Sequence, residues 1–128
     1  MEQKIIDTNI ILRFLTKDDE SLYRKAVDIF RKAESGEYRL VVKPIVVAEV
    51  AFVLESFYKQ KRLQIADALK VFLSQKWLKV EERKVLLSLW GSYENGQHFV
   101  DSYLLATARE QKVGLLTFDK QLNKQIQK

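Results

Sequence analysis

Two acidic residues directly follow short apolar runs of the kind that form buried strands. Asp7 comes straight after Ile5 and Ile6, and Asp119 comes just after the run at 115–117. In sheets of parallel strands, ligands collect beyond the carboxyl ends of the strands, where the chain order reverses. We therefore expect these two carboxylates to lie at the ligand-binding edge of one sheet.

Two further acids have unusually apolar neighbours. Asp101 precedes a helix of mostly small and apolar residues. Glu49 lies within a predicted helix, and its neighbours at helical spacing are all apolar: Ile45, Val46, Phe52 and Val53. A carboxylate in such surroundings is expected to be desolvated, which is costly unless a positive group meets it. Taken singly, these acids also fit ordinary roles. Asp7, Asp101 or Asp119 could cap a helix, and Glu49 could be a partly buried glutamate bonded to an arginine or to a helix terminus.

Carboxylates held close together repel one another, and they stay ionised only if cations neutralise them. Carboxylate oxygens without His or Cys suit Mg²⁺ or Mn²⁺ better than zinc. Such ions lower the pKa of a bound water and stabilise charge on a phosphodiester, so no nucleophilic side chain is required. Thr8, Asn9 and Thr117 are placed to orient the water or the ligands through hydrogen bonds. The residue types therefore favour phosphodiester hydrolysis by metal-activated water.

Short apolar strands alternate with helices along the chain. Strands are predicted at 4–6, 40–42, 78–80 and 115–117, and helices at 9–15, 21–34, 45–58, 63–74, 83–94, 100–112 and from 119 onwards. Ser21 is expected to cap the second helix, and Pro44 to occupy the first turn of the third. The alternation predicts an α/β fold, a short parallel sheet of four to five strands with helices on both faces.

The composition narrows the possible classes of protein. With 128 residues, 47% of them apolar and 30% charged, the chain is expected to form one globular domain over 1–128. It has no cysteine, which excludes disulfides and thiolate metal ligands. A formal net charge of +5 suits a phosphate-rich partner. No run resembles a signal peptide or a membrane span, so a cytoplasmic location is expected.

Four segments, in this order and spacing, are similar to those of PIN domains, and more narrowly to VapC-type toxins of prokaryotic toxin–antitoxin pairs. The segments are Ile6-Asp7-Thr8-Asn9, Ala48-Glu49-Val50, Val100-Asp101-Ser102-Tyr103 with the residues to Ala108, and Leu116-Thr117-Phe118-Asp119-Lys120. Asp-Thr-Asn alone is common by chance, whereas the four segments in sequence are specific. The resemblance covers essentially the whole chain.

The resemblance implies a parallel sheet flanked by helices and Mg²⁺- or Mn²⁺-dependent cleavage of RNA. It also implies a homodimer and inhibition by a cognate antitoxin protein. By position, the acidic ligands of the family fall on Asp7, Glu49, Asp101 and Asp119, and its supporting hydroxyl falls on Thr117.

Other functions remain to be weighed. The chain could be a catalytically silent PIN-like module that only binds proteins, or a PIN nuclease that processes RNA outside toxin–antitoxin biology. A phosphatase of the haloacid dehalogenase kind needs a second acid two residues after its strand-end Asp, where this chain has Asn9. A receiver domain needs an acidic pair before its phosphorylated Asp, which the strand-end acids do not supply. A dinucleotide or P-loop fold is excluded because the chain has no glycine-rich phosphate loop.

Overall fold

Three short strands alternate with helices in residues 1–126, the part of the chain that the computed structural model describes. The strands are β1 (Gln3–Ile5), β2 (Arg39–Val42) and β3 (Leu78–Val80). The helices are α1 (Thr8–Thr16), α2 (Glu20–Glu34), α3 (Pro44–Ser56), α4 (Arg62–Leu73), α5 (Arg83–Ser88), α6 (Trp90–Glu94), α7 (Phe99–Gln111) and α8 (Lys120–Ile126). The three strands lie within one residue of their predicted bounds.

The strands form one parallel sheet in the order β1-β2-β3. Gln3 pairs with Arg39, and Leu40 pairs with Leu78. The pairing continues past the strand ends, because the Ile6 N–H donates to the Val41 carbonyl at 3.1 Å. The α/β class with a parallel sheet is confirmed, but the sheet of the described residues has three strands where four to five were predicted.

The missing strand is the one predicted at 115–117. Residues 113–118 form neither strand nor helix, and within residues 1–126 β1 pairs with β2 alone. An apolar run forms a strand only where a neighbouring strand supplies hydrogen-bond partners. In the described structure this run is not placed beside one.

The core lies on one face of the sheet. Five side chains of that face are buried among the helices: Ile6, Leu40, Val42, Leu78 and Val80. Lys4, which pairs with Leu40, is exposed at the outer end of this face. The register puts Gln3, Ile5, Arg39 and Lys79 on the other face, where all four are exposed around the buried Val41. Helices on both faces were predicted, yet in residues 1–126 this second face is left largely open because its side chains, apart from Ile5 and Val41, are polar.

The helices begin and end where local chemistry allows. Pro44 is at the start of α3, as predicted, where its missing N–H costs nothing. The cap of α2 is Asp19 and not Ser21, because the Asp19 carboxylate accepts from the Leu22 N–H at 3.0 Å. The helix predicted at 83–94 is divided at Leu89 into α5 and α6, although the same apolar stripe stays buried: Leu86, Leu89, Trp90 and Tyr93.

A polar network joins α3, α4 and the segment after α6. The Arg62 guanidinium donates to the Glu55 carboxylate at 3.0 Å and to the carbonyls of Tyr93 and Gln97 at 2.6 and 2.5 Å. The Tyr93 hydroxyl donates to the other Glu55 oxygen at 3.1 Å. Burial raises the pKa of Tyr93, and the nearby Glu55 charge adds to the effect. The network therefore ties α3 and α4 to α6 and the segment after it.

Within residues 1–126, no helix is long and apolar enough to cross a membrane. The most apolar helix, α3, has 13 residues, whereas a bilayer requires roughly 20.

Candidate active site

Asp7 stands at the carboxyl end of β1 and starts α1. One carboxylate oxygen accepts a hydrogen bond from the Ile10 N–H at 3.2 Å, which makes Asp7 the N-cap of the helix. Its side chain is exposed to solvent. Asp7 therefore lies where it was predicted, directly after the first strand. Its carboxylate caps α1 and is still accessible to solvent.

Glu49 lies in α3, but it is not desolvated as the apolar spacing had predicted. Its side chain is exposed, and the Ile45 and Phe52 side chains one turn away are 77% and 66% exposed. The helix buries a different side, through Val47, Val50, Ala51 and Leu54. The expectation of a buried glutamate is therefore wrong, because apolar residues occur on both the buried and the open sides of α3.

Asp101 is the third residue of α7, and its side chain is half-buried. It does not cap the helix, since His98 occupies that position without a side-chain hydrogen bond to the helix. A carboxylate in the first turn is still favoured by the partial positive charge of the helix start.

Thr117 and Asp119 together start α8. The Asp119 carboxylate accepts from the Leu122 N–H at 2.9 Å, and the Asp119 N–H donates to Thr117 Oγ1 at 3.0 Å. The Thr117 carbonyl accepts from the Asn123 side-chain amide at 3.0 Å. Asp119 is exposed, and Leu122 is buried. Both predicted site residues therefore belong to one local turn that follows α7.

Other charged groups also stand at the carboxyl edge of the sheet. Lys43 follows β2, and its ammonium group donates to the two oxygens of Glu81, which follows β3, at 3.1 and 2.8 Å. The Tyr103 hydroxyl donates to the Glu82 carboxylate, with both oxygen–oxygen distances at 2.7 Å. Burial raises the pKa of Tyr103, and the Glu82 hydrogen bond raises it further.

An apolar groove opens beside this edge, between the starts of α3 and α7. Its volume is about 410 Å³. Its walls include Lys43, Ile45, Ala48, Glu82, Val100 and Tyr103. Ala48 and Val100 are the sequence neighbours of Glu49 and Asp101, so the groove adjoins two of the predicted acids.

The PIN domain family matches this chain over residues 4–126. This chain belongs to the PIN domain family. Comparison with curated proteins and with solved structures returns no match. PIN domains are in general nucleases and typically use divalent metal ions. The family predicted from the four sequence segments is thereby confirmed, and membership of this family supports a nuclease.

The four predicted acids of this PIN domain have the right chemistry for a hard cation. Carboxylate oxygens suit Mg²⁺ or Mn²⁺. In residues 1–126, however, no three side chains of His, Cys, Asp or Glu lie close enough to hold one ion. The predicted acids stand at four separate positions: the N-cap of α1, the middle of α3, the first turn of α7 and the turn before α8.

Sequence reasoning did not single out Lys43, Glu81, Glu82 or Tyr103. The signal was present, because Glu81 and Glu82 directly follow the predicted strand at 78–80, as Asp7 follows the first strand. The rule that favours Asp7 also favours these two acids. Their pairing with Lys43 and Tyr103 depends on how distant elements pack, and no local sequence pattern indicates it.

Proposed function

We propose that this PIN domain protein is a divalent-metal-dependent ribonuclease that hydrolyses RNA phosphodiester bonds. The observation that carries the proposal is the exposed Asp7 carboxylate at the end of β1 in a chain that belongs to a family of nucleases. The proposed catalytic residues are Asp7, Glu49, Asp101, Asp119 and Thr117, the four acids serving as ligands for Mg²⁺ or Mn²⁺.

Two features support RNA as the substrate class. The net charge of +5 favours a polyanion. Three of the four acids are exposed and the fourth is half-buried, so an extended substrate can reach them.

We further propose that the protein is the toxin of a VapBC-type toxin–antitoxin pair. The four sequence segments similar to VapC-type toxins support this narrower function. The apolar groove beside Lys43 supports a protein partner, because two of the residues that line it, Ile45 and Val100, are exposed apolar side chains. That partner is the cognate antitoxin in this proposal.

A second candidate function is a catalytically silent PIN module that binds other proteins. It is favoured by the observation that no three potential ligands lie together in residues 1–126. A third candidate function is an RNA-processing nuclease, which shares the proposed chemistry of the toxin and differs only in its biological role.

The test is cleavage of a mixed cellular RNA pool by the purified protein with Mg²⁺, Mn²⁺ or EDTA. Cleavage that requires an ion supports the ribonuclease. Absence of cleavage together with absence of Mn²⁺ binding by calorimetry supports the silent module. Growth arrest when the active protein is produced in a bacterium supports the toxin, whereas cleavage without arrest supports RNA processing.

A further inference from the structure

An aromatic ring is exposed in the turn between α3 and α4. Phe57 directly follows the last residue of α3, and 73% of it is accessible to solvent. Its ring contacts the Tyr58 ring edge to face, with the centroids 5.0 Å apart and the planes at 79°. The rest of the Phe57 ring is open. Such a ring offers a flat apolar surface on which an unpaired nucleobase can stack.

Tyr58, the neighbour of this ring, is held by a cluster of polar side chains at the end of α1. The Tyr58 hydroxyl donates to the Asp18 carboxylate at 2.6 Å. The same carboxylate accepts from the Arg13 guanidinium at 3.0 Å and from the Thr16 hydroxyl at 2.9 Å. Phe57 is therefore packed against a tyrosine that is itself fixed to another helix.

The backbone of the turn is also fixed. The Gln60 N–H donates to the Leu54 carbonyl at 3.0 Å, which ties the turn to the last turn of α3. Lys59 has a φ of +57°, a conformation that residues other than glycine adopt only where the surrounding structure holds them in it. The side chains of Lys59 and Lys61 are both exposed. The turn thus presents two ammonium groups close in the chain to the exposed ring.

The charges of these two lysines are not neutralised within residues 1–126. The nearby carboxylates already accept hydrogen bonds from other groups: Asp18, Asp19, Glu20 and Glu55. The ion pairs of the described residues include neither Lys59 nor Lys61. Two available positive charges beside an exposed aromatic ring favour a polyanion over an apolar protein surface.

The turn lies at the opposite end of α1 from Asp7. Asp7 caps the start of α1, whereas Asp18, the partner of Tyr58, directly follows its C-cap Lys17. A helix of nine residues is about 13 Å long. Stacked nucleotides advance about 3.4 Å each along one strand, so roughly four nucleotides span the length of α1. One strand of RNA can therefore reach both Asp7 and the turn.

We propose that the turn 57–61 is a second contact for single-stranded RNA, in which an unpaired base stacks on Phe57 and the Lys59 and Lys61 ammonium groups bind the neighbouring phosphates. This inference rests on the proposed function, because it adds a contact to the same RNA away from the acids. Aromatic rings with basic neighbours are the usual means of binding single strands without sequence preference. The contact therefore serves affinity and does not select a cleavage sequence.

Binding of fluorescein-labelled single-stranded RNA in EDTA tests the base stack without cleavage. Phe57→Ala should weaken binding by about tenfold, as the loss of one base stack does. Phe57→Trp keeps a flat ring and should bind at least as tightly as the parent. Val71→Ala is the matched control and should not change binding, since Val71 is 66% exposed at the far end of α4. Fully paired RNA should be bound equally by the parent and Phe57→Ala, because its bases are already stacked.

The salt dependence of the same binding tests the lysines. Each phosphate contact contributes about 0.7 to the slope of log K against log salt concentration for a single strand. Lys59→Gln and Lys61→Gln should each reduce the slope by about 0.7. Lys76→Gln makes the same change of charge at an exposed position beyond the far end of α4, and it should leave the slope unchanged.

The inference is overturned if the parent protein does not bind RNA, or if Phe57→Ala weakens binding no more than Val71→Ala does. An equal loss for single-stranded and paired RNA also contradicts the base stack. Thermal melts verify that each variant is folded. The proposed function fails separately: a parent that binds RNA through Phe57 but cuts none with Mn²⁺ leaves this contact standing and rejects the nuclease. Cleavage by a protein whose RNA binding ignores Phe57 does the reverse.

Discussion

Asp7 and Asp119 have the same local geometry, since each carboxylate accepts a hydrogen bond from the backbone N–H three residues further on. The distances are 3.2 Å to Ile10 and 2.9 Å to Leu122. Each acid therefore starts a helix, and an alanine variant would lose a helix cap together with any catalytic role. Asparagine caps helices about as well as aspartate and lacks the charge. Asparagine variants therefore separate the two roles.

Asp119→Ala is expected to lower the free energy of unfolding by about 0.5–2 kcal/mol, the usual value of an N-cap. Asp119→Asn is expected to keep the parent stability, because the side-chain oxygen still accepts from Leu122. Both variants are expected to lose RNA cleavage. Urea denaturation and a cleavage assay on the same preparations provide the measurement. If Asp119→Asn cleaves RNA as well as the parent, Asp119 is only a cap.

Asp18 makes the stability of the folded protein depend on pH in the acid range. The Tyr58 hydroxyl, Thr16 and Arg13 donate to its carboxylate and lower its pKa from 3.8 to about 2. Because the folded-state pKa lies below the unfolded value, the ionised form stabilises the folded protein above pH 3.8. This stabilisation declines as the pH falls to about 2.

Asp18→Asn should therefore melt below the parent at pH 7 and 5, and the difference should shrink between pH 4 and pH 2. Asp28→Asn is the control, since Asp28 contacts the exposed Lys32 within one helix. Thermal melts across this pH range provide the measurement. A difference between Asp18→Asn and the parent that is the same at pH 2 and pH 7 would show that the hydrogen bonds do not depend on the charge.

Arg62 holds α4 against α3 and the segment after α6. Arg62→Met removes the donor to Glu55 and to two backbone carbonyls, which then lack partners. We expect a loss of about 1.5–3 kcal/mol in the free energy of unfolding, the usual range for hydrogen bonds to charged groups. Lys61→Met, at an exposed neighbouring position, should change the stability by less than about 0.5 kcal/mol. Equal effects of the two substitutions would exclude a special role for Arg62.

Local pattern was sufficient to predict most of the fold. Apolar runs predicted the three strands, and helical periodicity predicted the helices to within about two residues, except that the helix predicted at 83–94 is divided into α5 and α6. Ser21 was predicted as the cap of α2, but Asp18 and Asp19 are capping residue types as well. Sequence alone does not choose among the three, and the backbone geometry selects Asp19. A strand at 115–117 was predicted because the run is apolar, but strand formation also requires a neighbour.

Local sequence predicts where some of the candidate site residues lie, but not the surroundings of all of them. The position of Asp7 follows from local sequence, since a strand end and a helix cap coincide there. The exposure of Glu49 does not, because α3 carries apolar residues on both its buried and its open sides. The pairs Lys43–Glu81 and Tyr103–Glu82 join distant elements, and their contacts depend on how those elements pack.

The most direct test of the proposed nuclease compares RNA cleavage by the parent, Asp7→Asn and Asp28→Asn proteins at equal concentration with Mn²⁺. Asp28→Asn makes the same change of charge at an exposed position away from the site. The loss of an essential carboxylate should slow cleavage by about 100-fold or more for Asp7→Asn. The melting temperature should not change, because Asn keeps the cap. Cleavage by Asp7→Asn at the rate of the parent would contradict the assignment of Asp7 to the active site.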